Sequence, residues 1–374
     1  MDEKDPTKVR GYNIAVGGGM GRMHGKEETK AFAAEHLGFV EAKDMFNVVK
    51  SILCVQRDYG RRDDRKMSRF KYVVAEKGIE EIKNLVEKYS CVKIQPWVPL
   101  PPWEYKTYLG WHEQGDGKWF LGLNIDTGRI KDDGDVRMKS ALREIVGRYN
   151  TPCLFTPQQN IMLAEIETEN KVHIERILKR NNIKMDSELL DLTKDHMACP
   201  ALPMCGLATT EAERFTPQII AIIDKARKEA GVPNLQIVSR ITGCPNGCAR
   251  TYMAEIGFVG SGPLMYQLWL GGSHNQTRTA QEYDFKIKLD KMQELLTNLF
   301  TLYRECRSSE SESFGDFCYR AGPVDMKAYV DALEAEETAK CEELKTKILA
   351  TPMPEAKWAK DFIGGVPDIK YQVA

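Results

Sequence analysis

The sequence predicts an α+β fold in which helices flank mixed sheets. Short apolar segments with strand character alternate with amphipathic helices along the chain of 374 residues. The strand that ends before Gly17 recurs before Gly271, 254 positions later. The loop before Phe70 recurs before Phe317, 247 positions later. Offsets that agree this closely over long segments indicate an internal duplication.

The earlier copy begins with a strand at residues 11–16, and helices are predicted at residues 27–37, 41–56 and 70–89. The strand runs into a glycine cluster. This cluster matches a dinucleotide fingerprint poorly, because Arg22 stands where the third glycine should be. A plain turn and an anion-binding loop therefore both remain open.

A charged run and a proline-rich run follow. Residues 56–66 are dense in charge, which is typical of a solvated loop and also of a site where arginine forks anchor an anionic cofactor. Residues 95–103 predict a linker and a domain boundary. Beyond it the predicted order is strand 119–125, helix 138–149, strand 160–166 and helix 171–181.

The later copy follows the same alternation. The predicted elements are helix 211–230, strands 236–241, 256–259 and 266–270, and helix 290–303. Residues 323–374 form a charged tail with a helical run at 326–349, which we expect to cover a surface or contact a partner.

Two close cysteine pairs are the strongest chemical signal. Five residues separate Cys199 from Cys205. Three residues separate Cys244 from Cys248. Without a secretion signal, such pairs indicate a metal or cluster site before a disulfide framework. Four thiolates suit a 4Fe–4S cluster, and the alternatives are a structural zinc module and buried apolar thiols.

Prolines and glycines frame these thiols. Pro200, Pro203 and Pro245 restrict the backbone. Gly243 and Gly247 allow a bulky inorganic group to approach it. The remaining cysteines are expected to be reduced thiols: Cys54, Cys91, Cys153, Cys306, Cys318 and Cys341.

The run from Thr242 to Arg250, Thr-Gly-Cys-Pro-Asn-Gly-Cys-Ala-Arg, follows a Cys-x5-Cys pair. Together they resemble the sirohaem and 4Fe–4S signature of the sulfite and nitrite reductase family. Ala212-Glu213-Arg214 and residues 253–260 resemble the sulfite branch, in particular its ferredoxin-dependent enzymes. The nitrite branch usually carries serine where this chain has Gly247.

The resemblance implies a ferredoxin-like half-domain at residues 106–182 and a sirohaem- and 4Fe–4S-binding reductase domain at residues 190–322. Residues 1–95 would be the later part of the first repeat, and 323–374 the helical tail. The cysteine motif precedes the second copy, and almost nothing precedes the first. We therefore expect a pseudo-twofold repeat that is incomplete at the N-terminus, in a chain that corresponds to the C-terminal part of a longer reductase.

The resemblance also implies the site residues. The cluster ligands would be Cys199, Cys205, Cys244 and Cys248. Cys248, the last of them, would be the catalytic thiolate that bonds the cluster to the sirohaem. Gln159, Asn246 and Arg250 are candidates for sirohaem contact. The loop of Gln159 usually reads Asn-Gln-Asn in the family, and Gln158 departs from that pattern.

The implied activity is the six-electron reduction of sulfite to sulfide. No flavin or nicotinamide fingerprint is present, so an external one-electron donor is expected, and the resemblance favours ferredoxin. The alternatives are a ferredoxin-dependent nitrite reductase and an inactive truncated fragment of the sulfite enzyme.

Composition limits the partners and the compartment. The net charge of −1 argues against a nucleic-acid partner. No apolar run approaches a membrane span, so no membrane partner is expected. If the enzyme is eukaryotic and ferredoxin-dependent, we expect it in the plastid. If not, we expect it in the cytoplasm. No targeting segment is recognised in this chain.

Overall fold

The computed structural model describes residues 8–26, 28–101 and 105–354. Within these ranges the chain is an α+β protein with mixed sheets, which confirms the predicted fold class. Buried apolar side chains form three clusters, within residues 14–94, 121–183 and 192–348. We call the parts of the chain around these clusters the first unit, the middle unit and the second unit.

Each unit has one main sheet, and two further strands form a separate short pair. They are β1 (Gly11–Val16), β2 (Glu35–Glu41), β3 (Gly110–Glu113), β4 (Trp119–Leu123), β5 (Asp132–Asp133), β6 (Val136–Arg137), β7 (Cys153–Phe155), β8 (Ile161–Ile166), β9 (Met197–Ala198), β10 (Ser239–Thr242), β11 (Ile256–Gly262), β12 (Met265–Leu270) and β13 (Gln281–Lys288). Strands β1 and β2 form the sheet of the first unit, and the sheet of the middle unit has the strand order β3-β4-β8-β7. The second unit has the order β13-β12-β11-β10-β9, and β5 and β6 form a separate short pair.

Helices cover these sheets. They are α1 (Met45–Tyr59), α2 (Phe70–Lys77), α3 (Ile79–Ser90), α4 (Met138–Tyr149), α5 (Lys171–Arg180), α6 (Asp191–Lys194), α7 (Thr216–Glu229), α8 (Met292–Cys306), α9 (Phe314–Ala321), α10 (Pro323–Glu334) and α11 (Thr338–Ala350). In the described part of the chain, no helix has both the length and the apolar character that a bilayer crossing requires.

The first unit differs from the sequence prediction in two places. The predicted helix at 27–37 is wrong, because residues 28–34 are irregular and β2 begins at Glu35. Antiparallel pairing with β1 buries Leu37 and Val40 of this strand. The predicted helix at 70–89 is two helices, because Gly78 adopts φ +79° between α2 and α3.

The charged run of residues 56–66 lies on the surface. Arg57 pairs with the neighbouring Asp58 at 2.6 Å, and Arg61 pairs with Asp63 at 2.7 Å. These arginine forks already bind carboxylates of the chain itself. For these two arginines the structure favours the solvated-loop interpretation over an anchor for an anionic cofactor.

Helix lengths confirm the duplication. Helices α1, α2 and α3 have 15, 8 and 12 residues, and α8, α9 and α10 have the same three lengths. Gly78 and Gly322 separate the second helix from the third with φ of +79° and +78°. The predicted pairing of Phe70 with Phe317 is wrong. Phe70 corresponds to Phe314, because the loop before it is three residues shorter in the later copy.

The sheet of the second unit is mixed. Strands β9, β10 and β11 run parallel to one another, and β12 and β13 continue the sheet in antiparallel fashion. Helix α7 connects β9 to β10, so both strands present their carboxyl ends at the same edge. Loops that follow parallel strands at this edge are common places for a binding site.

The helical run predicted at 326–349 consists of α10 and α11. Met326, Tyr329 and Val330 of α10, with Cys341 and Ile348 of α11, belong to the apolar core of the second unit. This part of the tail therefore covers a surface of its own chain. The rest of the predicted tail, residues 355–374, lies outside the described residues, as do residues 1–7, residue 27 of the predicted helix, residues 102–103 of the linker and residue 104.

Candidate functional site

Two of the motif cysteines follow neighbouring parallel strands. Cys199 comes directly after β9, and Cys244 lies two residues after β10. The Cys199 N–H donates to the Ile241 carbonyl at 3.1 Å, which continues the ladder between the two strands. Both cysteines are buried, each with 8% of its surface exposed. The fold thus brings the two pairs, distant in the chain, to one edge of the sheet.

The loop that carries Cys205 folds over Gly243. The N–H and the hydroxyl of Thr209 donate to the Gly243 carbonyl at 2.8 and 3.0 Å. The Gly243 N–H donates to the Cys199 sulfur at 3.3 Å. Gly243 is therefore the contact between the loop of the first cysteine pair and the strand end of the second.

Electrostatics couple the thiols. Burial raises the pKa of Cys199, hydrogen bonds from backbone N–H groups of Gly243 and Ala201 oppose that effect, and the charges of Cys248 and Cys244 add to it. Burial likewise raises the pKa of Cys244, against hydrogen bonds from the backbone and side chain of Asn246. Such N–H···S bonds stabilise thiolates, which are the form that ligates iron.

Four thiols are the candidate metal donors at this edge of the sheet. No group of three or more His, Cys, Asp or Glu within the described ranges converges on a point that could hold one metal ion. A structural zinc ion needs four donors at about 2.0–2.3 Å from one centre. A four-iron cluster takes one thiolate for each iron, so its ligands surround a larger body. The assignment of the four motif cysteines as ligands of such a cluster stays a prediction.

Gly243 is expected not to tolerate a side chain. A Cβ there would lie 2.7 Å from both the Ala201 Cβ and the Thr210 carbonyl oxygen, and both atoms are held by the loop. Gly243→Ala should therefore displace the loop of Cys205, cost about 1–3 kcal/mol of stability and lower the iron content. Gly206→Ala is the matched control in the same loop, because a Cβ there meets nothing within 4 Å. Iron retention and urea unfolding measure both variants. Equal iron in both would contradict the prediction.

Gln159 binds the strand that leads to Cys199. Its side-chain nitrogen donates to the Ala198 carbonyl at 2.7 Å, and its side-chain oxygen accepts from the Ala198 N–H at 3.1 Å. The loop of the middle unit is thereby fixed to the second unit beside the first cysteine pair. The contact of Gln159 with a macrocycle stays a prediction. What the structure shows is that Gln159 positions the strand before Cys199 through its two hydrogen bonds to Ala198.

Arg250 and Asn246 lie on the loop of the second cysteine pair. The Arg250 guanidinium donates to the Pro157 carbonyl at 2.9 Å, so this side chain also ties the middle unit to the second. Arg250 lines a cavity of about 450 Å³, together with Gly18, Gly19, Met20 and His36 of the first unit. Asn246 is half-buried beside Cys244. Among the four motif cysteines only Cys248 is exposed, while Cys205 is half-buried.

Arg240 was not anticipated from the sequence. It lies fully buried in β10, where its guanidinium donates to the Arg250 carbonyl at 3.2 Å and to the Tyr105 hydroxyl at 3.5 Å. Burial lowers the pKa of Arg240 to about 10. A charged residue inside the apolar run 237–241 was the available signal.

A buried ion pair lies at the opposite edge of this sheet, where β10 and β11 begin. Glu255, fully buried, accepts from the N–H groups of Val238 and Gly315 at 2.8 and 3.0 Å and lies 3.1 Å from His274 Nδ1. Burial acts to raise the pKa of Glu255, but hydrogen bonds from His274 and the backbone outweigh it and lower that pKa. Burial acts to lower the pKa of His274, but Glu255 outweighs it and raises that pKa.

The pair predicts a pH dependence of stability. Glu255 contributes stability above its ordinary pKa of about 4.5, lost as the pH falls through its lower folded pKa. His274 contributes stability below its ordinary pKa of about 6.5, lost as the pH rises through its higher folded pKa. The free energy of unfolding should therefore decline above pH ~6.5, by up to about 1.4 kcal/mol for each unit by which the pKa of His274 is raised.

Urea unfolding of His274→Gln should show a free energy of unfolding that depends less on pH. His173→Gln, at an exposed position of α5, is the control, and equal slopes for the two variants would contradict the assignment.

Family profiles match two parts of the chain. The profile described as the nitrite and sulphite reductase 4Fe-4S domain matches residues 2–94. The profile described as the nitrite/sulfite reductase ferredoxin-like half domain matches residues 112–181. A relative named sulfite reductase [ferredoxin], from Synechococcus elongatus, is 46% identical over 332 residues. The chain belongs to the nitrite and sulphite reductase family.

Further members of the nitrite and sulphite reductase family agree with this. A relative from Shewanella sp. strain ANA-3, named sulfite reductase [NADPH] hemoprotein beta-component, is 38% identical over 323 residues. The matches cover 89% and 86% of this chain but 53% and 56% of the Synechococcus and Shewanella proteins. The chain thus spans about half the length of these curated relatives.

A solved structure, that of the Mycobacterium tuberculosis NirA protein, shares the fold. It aligns with a TM-score of 0.68 at 22% identity, over 84% of this chain and 58% of its own chain. The 4Fe-4S profile matches residues 2–94, which include the first unit, and the four motif cysteines lie outside that match. The half-domain profile confirms the ferredoxin-like half-domain within the middle unit. The predicted domain limits themselves stay predictions.

Proposed function

We propose that this chain forms the sirohaem- and 4Fe–4S-binding part of an assimilatory sulfite reductase, which reduces sulfite to sulfide with six electrons. The observation that carries the proposal is the convergence of both cysteine pairs at the carboxyl ends of β9 and β10. Cys199, Cys205, Cys244 and Cys248 would hold the cluster. The cofactors, when bound, would supply the electrons to the substrate.

Exposure supports the assignment of Cys248 as the thiolate shared with sirohaem. Cys199 and Cys244 are buried, and Cys248 is exposed, so its sulfur is accessible to a second cofactor. Asn246 and Arg250 are on the same loop, and Gln159 is fixed beside Cys199 through Ala198. We propose these three residues as contacts of the macrocycle. Arg250 also offers a cation to a carboxylate at the cavity that it lines.

Sulfite is the proposed substrate, because the relatives at 46% and 38% identity are both named sulfite reductases. Ferredoxin is the proposed donor, because the more similar of the two carries it in its name. If the enzyme is eukaryotic and uses ferredoxin, we propose that it lies in the plastid. In any other case we propose the cytoplasm. Nitrite as the substrate and an inactive fragment remain the alternatives.

The test is anaerobic purification followed by visible spectroscopy and by assays of iron and acid-labile sulfide. Sirohaem bands with about four non-haem irons per chain would support the proposal. Sulfide production from sulfite, measured beside nitrite consumption with reduced ferredoxin, would then decide between the substrates. Loaded cofactors without turnover of either anion would favour the inactive fragment. Zinc without colour would contradict the proposal.

A further inference from the structure

We propose that Arg22 is a positioning residue for the loop between Cys244 and Cys248, and that it acts from the first unit across the contact with the second. The inference rests on the proposed cluster function of those two cysteines. It assigns a role to the glycine cluster of the first unit, for which the sequence left a plain turn and an anion-binding loop open.

The two loops touch through their backbones. The Arg22 N–H donates to the Pro245 carbonyl at 2.9 Å. A Cβ on Gly21 would lie 3.4 Å from the Asn246 carbonyl oxygen, and a Cβ on Gly247 would lie 3.4 Å from the Met20 carbonyl oxygen. The backbones of the two loops therefore run close together around the hydrogen bond from Arg22 to Pro245.

The Arg22 side chain is fixed on the second unit. Its guanidinium lies 4.8 Å from the Trp269 ring centroid and 3.2 Å from the Glu282 carboxylate. Its Nε donates to the Thr29 carbonyl at 2.9 Å, and the side chain is only 12% exposed. A guanidinium held on an indole face and a carboxylate cannot rotate freely, so the Arg22 backbone N–H is held toward Pro245.

A second donor meets the same carbonyl. The Tyr252 hydroxyl donates to the Pro245 oxygen at 2.9 Å, and the Tyr252 ring packs edge-on against Trp269 with centroids 4.8 Å apart. Arg22 and Tyr252 thus lie against one indole and hold one carbonyl. Because Pro245 directly follows Cys244, this arrangement determines where the loop places its sulfurs.

The position of this loop should affect the properties of the proposed cluster as well as the stability of the fold. The potential and the retention of an iron–sulfur cluster depend on hydrogen bonds to its sulfurs and on solvent access. Asn246, which directly follows Pro245, is half-buried in the clamped loop between the two cysteines. Release of the clamp should therefore alter the spectroscopic signature of the cluster.

The test compares Arg22→Met with Arg278→Met. Arg278 lies over the Tyr319 ring at 4.3 Å, pairs with Asp316 at 2.6 Å and is 15% exposed, so it matches Arg22 in chemistry and burial. The readouts are the midpoint potential and electron paramagnetic resonance spectrum of the reduced cluster. Amide hydrogen exchange of residues 243–253 is the readout that needs no cluster. Glu282→Gln serves as a second variant that loosens Arg22 without removing it.

We expect Arg22→Met to accelerate exchange in residues 243–253 about five- to tenfold, the effect of one lost buried hydrogen bond, and to shift the cluster spectrum. Arg22→Lys should restore part of both, and Glu282→Gln should show a weaker form of each. Arg278→Met should change neither. Unchanged exchange in Arg22→Met, or equal changes in Arg278→Met, would overturn the proposal. A wild-type chain without a cluster would instead defeat the proposed function, and the exchange result would still decide the clamp.

Discussion

Cys248→Ser is expected to reduce sulfite turnover to background while the chain keeps its fold. A serine hydroxyl is a harder ligand than a thiolate and is not deprotonated at neutral pH, so it is a poor ligand for iron. Cys248 is exposed, so the exchange of sulfur for oxygen should leave packing nearly unchanged. Visible spectroscopy should show the loss of coupling between cluster and macrocycle, and circular dichroism should show an unchanged fold.

Cys153→Ser is the matched control. Cys153 is also an exposed cysteine, but it lies in β7 at the edge of the sheet of the middle unit. Its substitution should leave both the spectrum and turnover as in the unmodified chain. Full sulfite turnover in Cys248→Ser would refute the bridging role, and equal loss in both variants would show that the effect is not specific to the motif.

Arg320→Met is expected to cause the largest loss of stability, about 3–5 kcal/mol. The guanidinium is 2% exposed and binds both carboxylate oxygens of Glu312, at 2.6 and 2.9 Å. It also donates to the carbonyls of Cys306 and Ile348, at 2.9 and 2.6 Å. It thus joins the ends of α8 and α11 to α9. Methionine fills similar volume but leaves the buried carboxylate without its partner.

Urea unfolding followed by circular dichroism measures this loss. Since domains have total stabilities of about 5–15 kcal/mol, Arg320→Met should unfold at a much lower urea concentration. Arg148→Met is the control, because Arg148 is 59% exposed and pairs with Glu144 at 3.4 Å. An exposed pair of this kind contributes about 0–1 kcal/mol. A similar small change in both variants would show that the Arg320 network contributes little.

Regular periodicity accounts for what the sequence predicted well. Helix α4 spans the predicted residues 138–149, because Met138, Ala141, Leu142 and Ile145 recur on one face and are buried. Asn150 ends it in the left-handed conformation that suits a helix C-terminus. The cysteine motif was likewise readable, because the spacing of its thiols is a local property.

Non-local pairing explains the failures. Residues 28–37 contain helix-forming Ala, Glu and Lys, but β1 offers a strand partner that overrides this local preference. The roles of Arg22 and Arg240 depend on Pro245, Trp269 and Tyr105, which no local pattern relates to them. The sequence motif supplies the cysteines that we propose as cluster ligands, but no local pattern indicates the contacts of Arg22 and Arg240.

The Arg22–Glu282 pair has a consequence for biosynthesis. Its two residues are 260 positions apart, and a ribosome adds about 5–20 residues per second, so roughly 10 to 50 s separate their synthesis. Contacts between such distant segments also form slowly during folding. Cys248 precedes Glu282 by 34 residues, so its loop lacks this clamp for roughly 2 to 7 s after synthesis. We therefore expect the proposed cluster to be inserted only after translation has passed Glu282, when the loop of Cys244 and Cys248 can close.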